Sequence, residues 1–338
     1  MTPKHLIKIS FPILLLVGIY FLGPTPDKPA YDKSMPTVPE GSTELEQYVA
    51  NQESKHTIKP NNEARIVWKD SSKQKTRYAV VYLHGFSASQ VEGDPTHWKF
   101  AQAFGCNLYL PRLADHGIDT TETLLHFTAD RAWESAKEAL AIGKRIGEKV
   151  ILLSTSTGGT LALMLAAAYP DDVFALINLS PNIAINDGAA FILNDPWGLQ
   201  IARLVKGGKY NVTDANEEHA KYWNKKYRLE SVVQLEQLLE SSMKKELFQK
   251  VTQPSLTLYY YKNEEEQDPQ VKVTAMLKMH EQLGTPTDLK VARAMPGAGA
   301  HVLGSSMTSK DLEGVMKEIE KFATEKLRMT KIVSASGL

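Results

Sequence analysis

The chain has 338 residues, of which 43% are hydrophobic and 23% are charged. This composition is typical of a globular protein long enough for one large α/β domain with additions. The formal net charge at pH 7 is zero, so no basic field predicts a nucleic-acid partner, and the sequence shows no acidic tail. Cys106 is the only cysteine, which excludes an intramolecular disulfide and a cysteine-based metal site.

The N-terminus combines a basic stretch with an apolar one. Lys4 and Lys8 precede residues 9–22, which are almost uninterrupted hydrophobic residues. Because Phe21 stands where a signal cleavage site needs a small residue, residues 1–23 are interpreted as an uncleaved signal anchor, with a cleaved signal peptide as the alternative. The segment is short for a membrane span, which needs about 20 apolar residues. The positive charge before it predicts a membrane-anchored chain whose bulk is extracytoplasmic, and periplasmic or exported in a bacterium.

Residues 24–62 predict a Pro-rich tether followed by a short helix. The prolines between Gly23 and Gly41 favour a stiff, extended conformation. The helix is predicted over residues 45–49, after a capping sequence that begins at Ser42. The main domain is predicted over residues 63–330.

Short apolar runs alternate with helix-forming segments through most of that domain. Strands are predicted over residues 65–68, 78–83, 107–110, 150–153, 175–179, 256–261 and 289–294. Helices are predicted over residues 96–104, 129–145, 160–169, 271–283 and 310–327. This alternation predicts an α/β fold with a doubly wound, mostly parallel sheet, which binds ligands at the carboxyl ends of its strands.

Residues 183–250 interrupt the alternation. They contain a long helical stretch over residues 231–248 and no predicted strand, so we expect an inserted helical cap over the top of the sheet. The segment also contains the aromatic residues Trp197, Tyr222, Trp223 and Tyr227. These are expected to form the core of the cap rather than a substrate pocket, although they could still shape an apolar pocket.

A very short turn joins the strand over 150–153 to the helix that follows it. Ser156 stands at its tip, with the small residues Ser154 and Gly158 two positions before and after it. This is the spacing of the nucleophile elbow G-x-S-x-G, with serine in place of the first glycine. Such a turn presents one hydroxyl at the top of the sheet, beside the positive end of a helix. An ordinary strand–turn–helix crossover with incidental serines is the alternative.

Two histidine-containing loops lie earlier in the domain. The strand over 78–83 leads into His84-Gly85-Phe86, where the Phe86 amide could point into the same space as the Thr157 amide. Two such donors would form an oxyanion hole. His116, in a later loop, is expected to brace neighbouring backbone rather than to act as a base.

A third histidine, His301, lies in a small-residue loop after the last strand, where packing explains it poorly. Imidazole is suited to activate a serine, and a carboxylate must orient it. The acid is open among Glu264, Glu265, Glu266 and Asp268. We select Asp268 because it precedes the Pro-x-Val that opens the next helix, with Glu264 second. The order Ser156, acid, His301 matches one known fold class.

Over residues 65–327 the chain resembles the α/β-hydrolases, in particular the serine-aminopeptidase-like and monoacylglycerol-lipase-like esterase branch. The resemblance rests on His84-Gly85-Phe86, residues 111–117, Ser154-Thr-Ser-Thr-Gly-Gly159, the loop to Asp268 and Gly299-Ala-His301. It implies Ser156 as nucleophile, Asp268 as acid, His301 as base, and the Phe86 and Thr157 amides as oxyanion hole. The chain departs from the branch at Ser154 and at Asp115, where glycine is usual.

The favoured function is a metal-free and cofactor-free serine carboxylic-ester hydrolase that forms an acyl-enzyme. The predicted partners are a small acyl-ester or lipidic substrate and a membrane, with no nucleic acid; the sequence does not indicate an oligomeric state or specific substrate-binding residues. A serine peptidase or acyltransferase on the same triad is the alternative. A catalytically silent, membrane-tethered binding module is a further alternative from a different class.

Overall fold

A computed structural model describes residues 15, 17–214 and 216–332 of the chain. Nine strands are formed within these residues: β1 Arg65–Val67, β2 Thr76–Leu83, β3 Asn107–Leu110, β4 Gly147–Thr155, β5 Val173–Leu179, β6 Tyr210–Val212, β7 Lys226–Arg228, β8 Ser255–Tyr259 and β9 Lys290–Ala294. Seven of them form one sheet in the order β1-β3-β2-β4-β5-β8-β9. Every neighbouring pair is parallel except β1 with β3, which is antiparallel.

The described helices are α1 Ser42–Glu53, α2 Thr96–Phe104, α3 Ala129–Ile146, α4 Thr157–Ala168, α5 Gly198–Lys206, α6 Glu217–Ala220, α7 Leu229–Ser242, α8 Lys245–Phe248, α9 Val273–Gln282 and α10 Leu312–Glu325. Short 3₁₀ turns lie at Gln90–Gly93, Ala190–Asn194 and Thr287–Leu289.

Helices cover both faces of the large sheet. One core layer contains buried residues of α3, α4 and α9, and the other contains buried residues of α2 and α10. The last six residues of β2 and of β4 are therefore all buried, and no alternation of polar and apolar residues remains. These two central strands end side by side, Leu83 pairing with Ser154, which places the loops after them at one edge.

The doubly wound, mostly parallel sheet is confirmed, and each predicted strand corresponds to one of its seven strands. Two pairings depart from chain order: β1 lies beside β3 and not beside β2, and β4 lies beside β2 and not beside β3. The cap differs from its prediction in two ways. It contains the antiparallel pair β6–β7, and its long helix is divided into α7 and α8.

Both differences in the cap have local causes. Strands β6 and β7 are three residues long and largely polar, too short to show a two-residue hydrophobic period. At the end of α7, the hydroxyls of Ser241 and Ser242 donate to the carbonyls of Gln237 and Leu238, both at 2.5 Å. Such back-bonding competes with helix continuation, and Met243 then leaves the helical conformation.

The Pro-rich segment lies against the body of the protein. The Trp133 indole donates to the Asp32 carbonyl at 2.6 Å, and the Lys137 ammonium donates to the Ser34 carbonyl at 2.8 Å. Val38 is buried in the core layer beside α1, a helix that extends beyond both ends of its prediction. The segment is thus extended and fixed along α3.

Most of the predicted signal anchor lies outside the described residues, which include only 15 and 17–23 of it. Within the part of the chain that the structure describes, no helix has both the length and the apolar character needed to cross a membrane.

Candidate active site

Ser156 occupies the sharp turn between β4 and α4. Its backbone has φ +54° and ψ −121°, a conformation that is unfavourable for any residue with a side chain. Strain of this kind persists only where the surrounding structure enforces it, and it characterises a nucleophile elbow. The side chain lies at the carboxyl edge of the sheet and Ser156 is 8% exposed.

Small residues around Ser156 are required by close packing. A Cβ placed on Gly158 would stand 1.9 Å from the Leu83 carbonyl oxygen, so only glycine fits where α4 begins against the end of β2. Ser154 stands where glycine is usual, and it fits because its hydroxyl donates to the Asn178 side-chain oxygen at 2.8 Å on the neighbouring strand.

His301 and Asp268 are brought together from the loops after β9 and β8. The His301 Nδ1–H donates to Asp268 Oδ2 at 2.7 Å, which leaves Nε2 as the nitrogen able to accept a proton. Asp268 is fully buried, and the His301 side chain is 12% exposed. The other Asp268 oxygen accepts from the amides of Gln270 and Val271 at 2.9 and 3.1 Å. The ring is therefore held in one orientation.

The environment favours charge on both partners. Burial by itself raises the pKa of Asp268, but the charge and hydrogen bond of His301 and the two amides lower it further, so the pKa lies below its usual value. Burial likewise lowers the pKa of His301, but Asp268, with a smaller contribution from Glu92, raises it above its usual value. A proton taken up by His301 is thus stabilised.

The remaining acids of the predicted set lie elsewhere. Glu264, Glu265 and Glu266 are exposed, and their contacts are to the loop itself, for example from the Tyr261 hydroxyl to Glu264 and between Lys262 and Glu266. Asp268 is the acid of that set that reaches His301.

The two predicted oxyanion donors flank the elbow. Thr157 is the first residue of α4, so its amide has no partner within the helix. Phe86 follows Gly85, and a Cβ on Gly85 would stand 3.0 Å from the Ser156 Cβ, which shows how closely this loop approaches the serine. Among the described residues, neither the Phe86 amide nor the Ser156 hydroxyl forms a hydrogen bond. Neither group is thus engaged by another part of the described chain.

The two histidines before the elbow brace backbone. His116 accepts from the Ser87 amide at 3.0 Å and its other nitrogen contacts the Ala114 carbonyl at 2.8 Å, which confirms its predicted role. His84 accepts from the Leu113 amide at 3.1 Å. Burial lowers the pKa of His116 to about 4 and that of His84 well below its usual value, so both are neutral. Asp115 has φ +65°, a conformation that glycine favours and aspartate tolerates.

Glu92, which sequence analysis did not select, lies beside this site. It is 2% exposed, and its carboxylate accepts from the Gly85 amide at 2.6 Å. Burial raises its pKa to about 7, against the smaller lowering effects of the Gly85 amide and the His301 charge. A single glutamate in a loop carries no sequence signal beyond its position a few residues after His84-Gly85.

The cap covers the site with aromatic residues. Trp223 packs against Ala88 and Val302, the residue after His301, while Tyr227 meets Phe86 edge-on at a ring-centroid distance of 5.4 Å. Phe86 also meets Phe127 edge-on, at 5.3 Å. Two of the cap aromatics thus reach the site loops rather than only one another. The structure as described contains no group of three or more histidine, cysteine or acidic residues arranged to hold a metal ion.

Comparisons with known proteins agree with the fold. Residues 80–310 match the model of the alpha/beta hydrolase family. None of the curated proteins matches the sequence.

Solved structures share the fold at low sequence identity. A structure reported with the metagenome-derived lipolytic enzymes LipS and LipT is similar with a TM-score of 0.63 and 17% identity, over 79% of this chain and 98% of that one. The monoacylglycerol lipase of Paleococcus ferrophilus gives a TM-score of 0.57 and 14% identity over 77% and 98%. Est1E from Butyrivibrio proteoclasticus with bound ferulic acid gives 0.53 and 18% over 79% and 95%.

Proposed function

Because this chain belongs to the α/β-hydrolase family, we propose that it is a serine esterase that hydrolyses carboxylic esters through an acyl-enzyme on Ser156. The observation that carries the proposal is the buried His301–Asp268 hydrogen bond at the carboxyl edge of the sheet that also presents the strained Ser156 turn. A serine needs an oriented base to become a nucleophile, whereas a binding module needs neither an oriented base nor a strained serine turn.

The proposed reaction has two half-reactions. His301 Nε2 takes the Ser156 hydroxyl proton while the serine oxygen attacks the ester carbonyl, and the Phe86 and Thr157 amides stabilise the resulting oxyanion. The C–O bond to the alcohol then breaks, and His301 returns the proton to the leaving oxygen. Water next attacks the acyl-enzyme while His301 takes its proton; the C–O bond to Ser156 then breaks, His301 returns the proton to the serine oxygen, and the acid leaves. Asp268 stays ionised throughout and holds the ring.

The substrate class is inferred from the aromatic contacts of the loop that carries Phe86. Phe86 packs edge-on against Phe127 and Tyr227, and this aromatic cluster suits an apolar acyl group better than a charged peptide. Similar structures include lipolytic enzymes and a monoacylglycerol lipase, which supports small acyl or lipidic esters. A peptidase or acyltransferase would use the same Ser156, and these activities are outcomes that the assay below distinguishes.

The test is hydrolysis of chromogenic esters with short and long acyl chains. The wild type should hydrolyse them, Ser156→Ala should abolish hydrolysis, and Ser154→Gly, which only restores the usual elbow glycine, should retain it. Hydrolysis that survives Ser156→Ala would contradict the proposal. Transfer of the acyl group to an added alcohol or amine instead of to water would identify an acyltransferase. Cleavage of peptides but not of esters would identify a peptidase.

We also propose that the N-terminal segment attaches the chain to a membrane, with the hydrolase domain extracytoplasmic. Leu22 is 83% exposed, and so is Leu204 on the cap helix α5. The two regions are joined at Trp197, whose indole donates to the Ile19 carbonyl at 3.0 Å. The full chain expressed in a bacterium should resist carbonate extraction from membranes and be digested by protease added to spheroplasts. Recovery in the soluble fraction would contradict the attachment, and protection from the protease would contradict the orientation.

A further inference from the structure

Glu92 is a buried carboxyl group for which the proposed reaction has no role. It lies in the 3₁₀ turn Gln90–Gly93, all of whose residues are buried. Burying a carboxyl group is costly unless it is hydrogen-bonded, so the partners of Glu92 indicate what keeps it there.

The first partner is the loop that carries a proposed oxyanion donor. Glu92 Oε2 accepts from the Gly85 amide at 2.6 Å, a short, charge-assisted distance. The Gly85 N–H belongs to the peptide just before the one that carries the Phe86 N–H, so this hydrogen bond anchors the start of the loop from which the Phe86 N–H projects. Gly85 has no side chain of its own to hold this conformation.

The second partner is a hydroxyl that can serve either charge state. Tyr82 Oη lies 3.2 Å from Glu92 Oε2 and 2.9 Å from Thr155 Oγ1. The hydroxyl has one proton. An ionised Glu92 accepts that proton, whereas a neutral Glu92 donates its own to Tyr82, which then donates to Thr155. Neither charge state leaves the carboxyl group without a partner.

Glu92 is also close to the proposed nucleophile, and its partner Trp223 packs against Val302, the residue after His301. Glu92 and Ser156 approach Gly85 on the same side. A Cβ placed on Gly85 would stand 2.8 Å from Glu92 Oε1 and 3.0 Å from the Ser156 Cβ. Burial raises the pKa of Glu92 to about 7, while the charge of His301 acts in the opposite direction. The titratable groups that act on His301 are Asp268 and Glu92, and those that act on Glu92 are His301 and Tyr82.

We propose that Glu92 is a positioning residue of the active site, which clamps the oxyanion loop through the Gly85 amide and supplies a second carboxylate that stabilises the His301 imidazolium. The proposal rests on the proposed esterase function. Asp268 holds the ring by direct contact, whereas Glu92 acts through space on its charge and through Gly85 on the loop.

The charge role is tested with Glu92→Gln, which keeps size and an acceptor for Gly85 but cannot ionise. Losing the negative charge removes stabilisation of the imidazolium, so the acidic limb of the kcat/KM profile should move down by about 1 pH unit. The His301 pKa, measured by NMR on histidine-labelled full chain, should fall by a similar amount. Glu236→Gln is the matched control, since burial also raises the pKa of this cap carboxyl to about 7, away from His301.

Two measurements separate the outcomes. An unchanged His301 pKa in Glu92→Gln would overturn the charge role whether or not the wild type hydrolyses esters. A wild type without activity, in which Glu92→Gln still lowers the His301 pKa, would overturn the esterase proposal and keep the coupling. An equal shift in Glu236→Gln would also overturn the assignment, because it would show a general effect of removing a charge.

The clamp is tested with Glu92→Ala, which leaves the Gly85 amide without its partner. Misplacing an oxyanion donor should lower kcat by roughly 10²-fold with little change in KM. Glu92→Gln should restore most of that loss at the optimum pH, provided that circular dichroism shows both variants folded. Equal losses in both variants, or no loss in folded Glu92→Ala, would overturn the clamp.

Discussion

Two buried carboxyl groups act on the same imidazole, one in the loop after β8 and one in the turn after β2. Asp268 accepts from two backbone amides and from His301 itself, and its pKa is lowered despite burial. Glu92 accepts from one amide, shares one hydroxyl and interacts with the Trp223 side chain, yet burial raises its pKa to about 7. The comparison teaches that burial alone does not set the charge of a carboxyl group, because an imidazolium in direct contact, as at Asp268, can reverse the sign of the shift.

The largest effect is expected at Asp268. Replacing it by asparagine removes the carboxylate that selects the tautomer of His301 and stabilises the imidazolium, so kcat should fall by roughly 10⁴-fold. Glu264→Gln, in the same loop but exposed, should change the rate little. Steady-state ester hydrolysis checks both variants, and a strong loss in Glu264→Gln with a weak one in Asp268→Asn would reverse the assignment.

An intermediate effect is expected on stability, with opposite signs at the two positions. The pKa of Glu92 rises from 4.5 to about 7 on folding, so the folded state binds this proton more tightly than the unfolded state. The stabilisation that results is fully present below pH 4.5 and is lost as the pH rises through 7. Between pH 4 and pH 8, Glu92→Gln should therefore gain about 3 kcal/mol of unfolding free energy relative to the wild type.

Asp268 provides the opposite case for that measurement. Its pKa is lowered on folding, so it stabilises the native state above its unfolded pKa and loses that contribution as the pH falls. Asp268→Asn should lose stability relative to the wild type as the pH rises from 3 to 8. Denaturant unfolding at several pH values checks both variants, and the same sign at both positions would break the comparison.

The smallest effect is expected from Tyr82→Phe. It removes one donor from Glu92 and leaves Asp268 untouched, so the pKa of Glu92 should rise further, by roughly half a unit. The pH at which the stability difference between wild type and Glu92→Gln levels off should move up by the same amount when both carry Tyr82→Phe. No movement would mean that the Tyr82 hydroxyl donates only to Thr155.

Asp268 and Glu92 also differ in what could be predicted from the sequence, because the contacts of Asp268 with its own loop are local and those of Glu92 are not. The elbow is visible because the need for small residues is local, as the 1.9 Å approach at Gly158 shows. The choice of Asp268 also rests on a local pattern, since its Oδ1 accepts amides two and three residues ahead, which is the turn that Pro-x-Val begins. The strands were predictable because burial on both faces leaves continuous apolar runs.

Glu92 could not be predicted because its interaction with His301 joins distant parts of the chain. His301 is brought towards Glu92 only by the pairing of β8 and β9 into the sheet, and no local sequence pattern predicts that interaction. The β6–β7 pair in the cap was missed because strands of three residues show no period. Contacts between distant parts of the chain, at Glu92, and strands too short to show a period, in the cap, account for what sequence analysis left out.

Labelling with a fluorophosphonate, followed by peptide mapping, is the most direct test of the central claim that Ser156 is an activated nucleophile. The wild type should be modified once, at Ser156, and His301→Ala should lose the modification while remaining folded. Absence of labelling in the folded wild type, or labelling at Ser156 that persists in His301→Ala, would contradict the account.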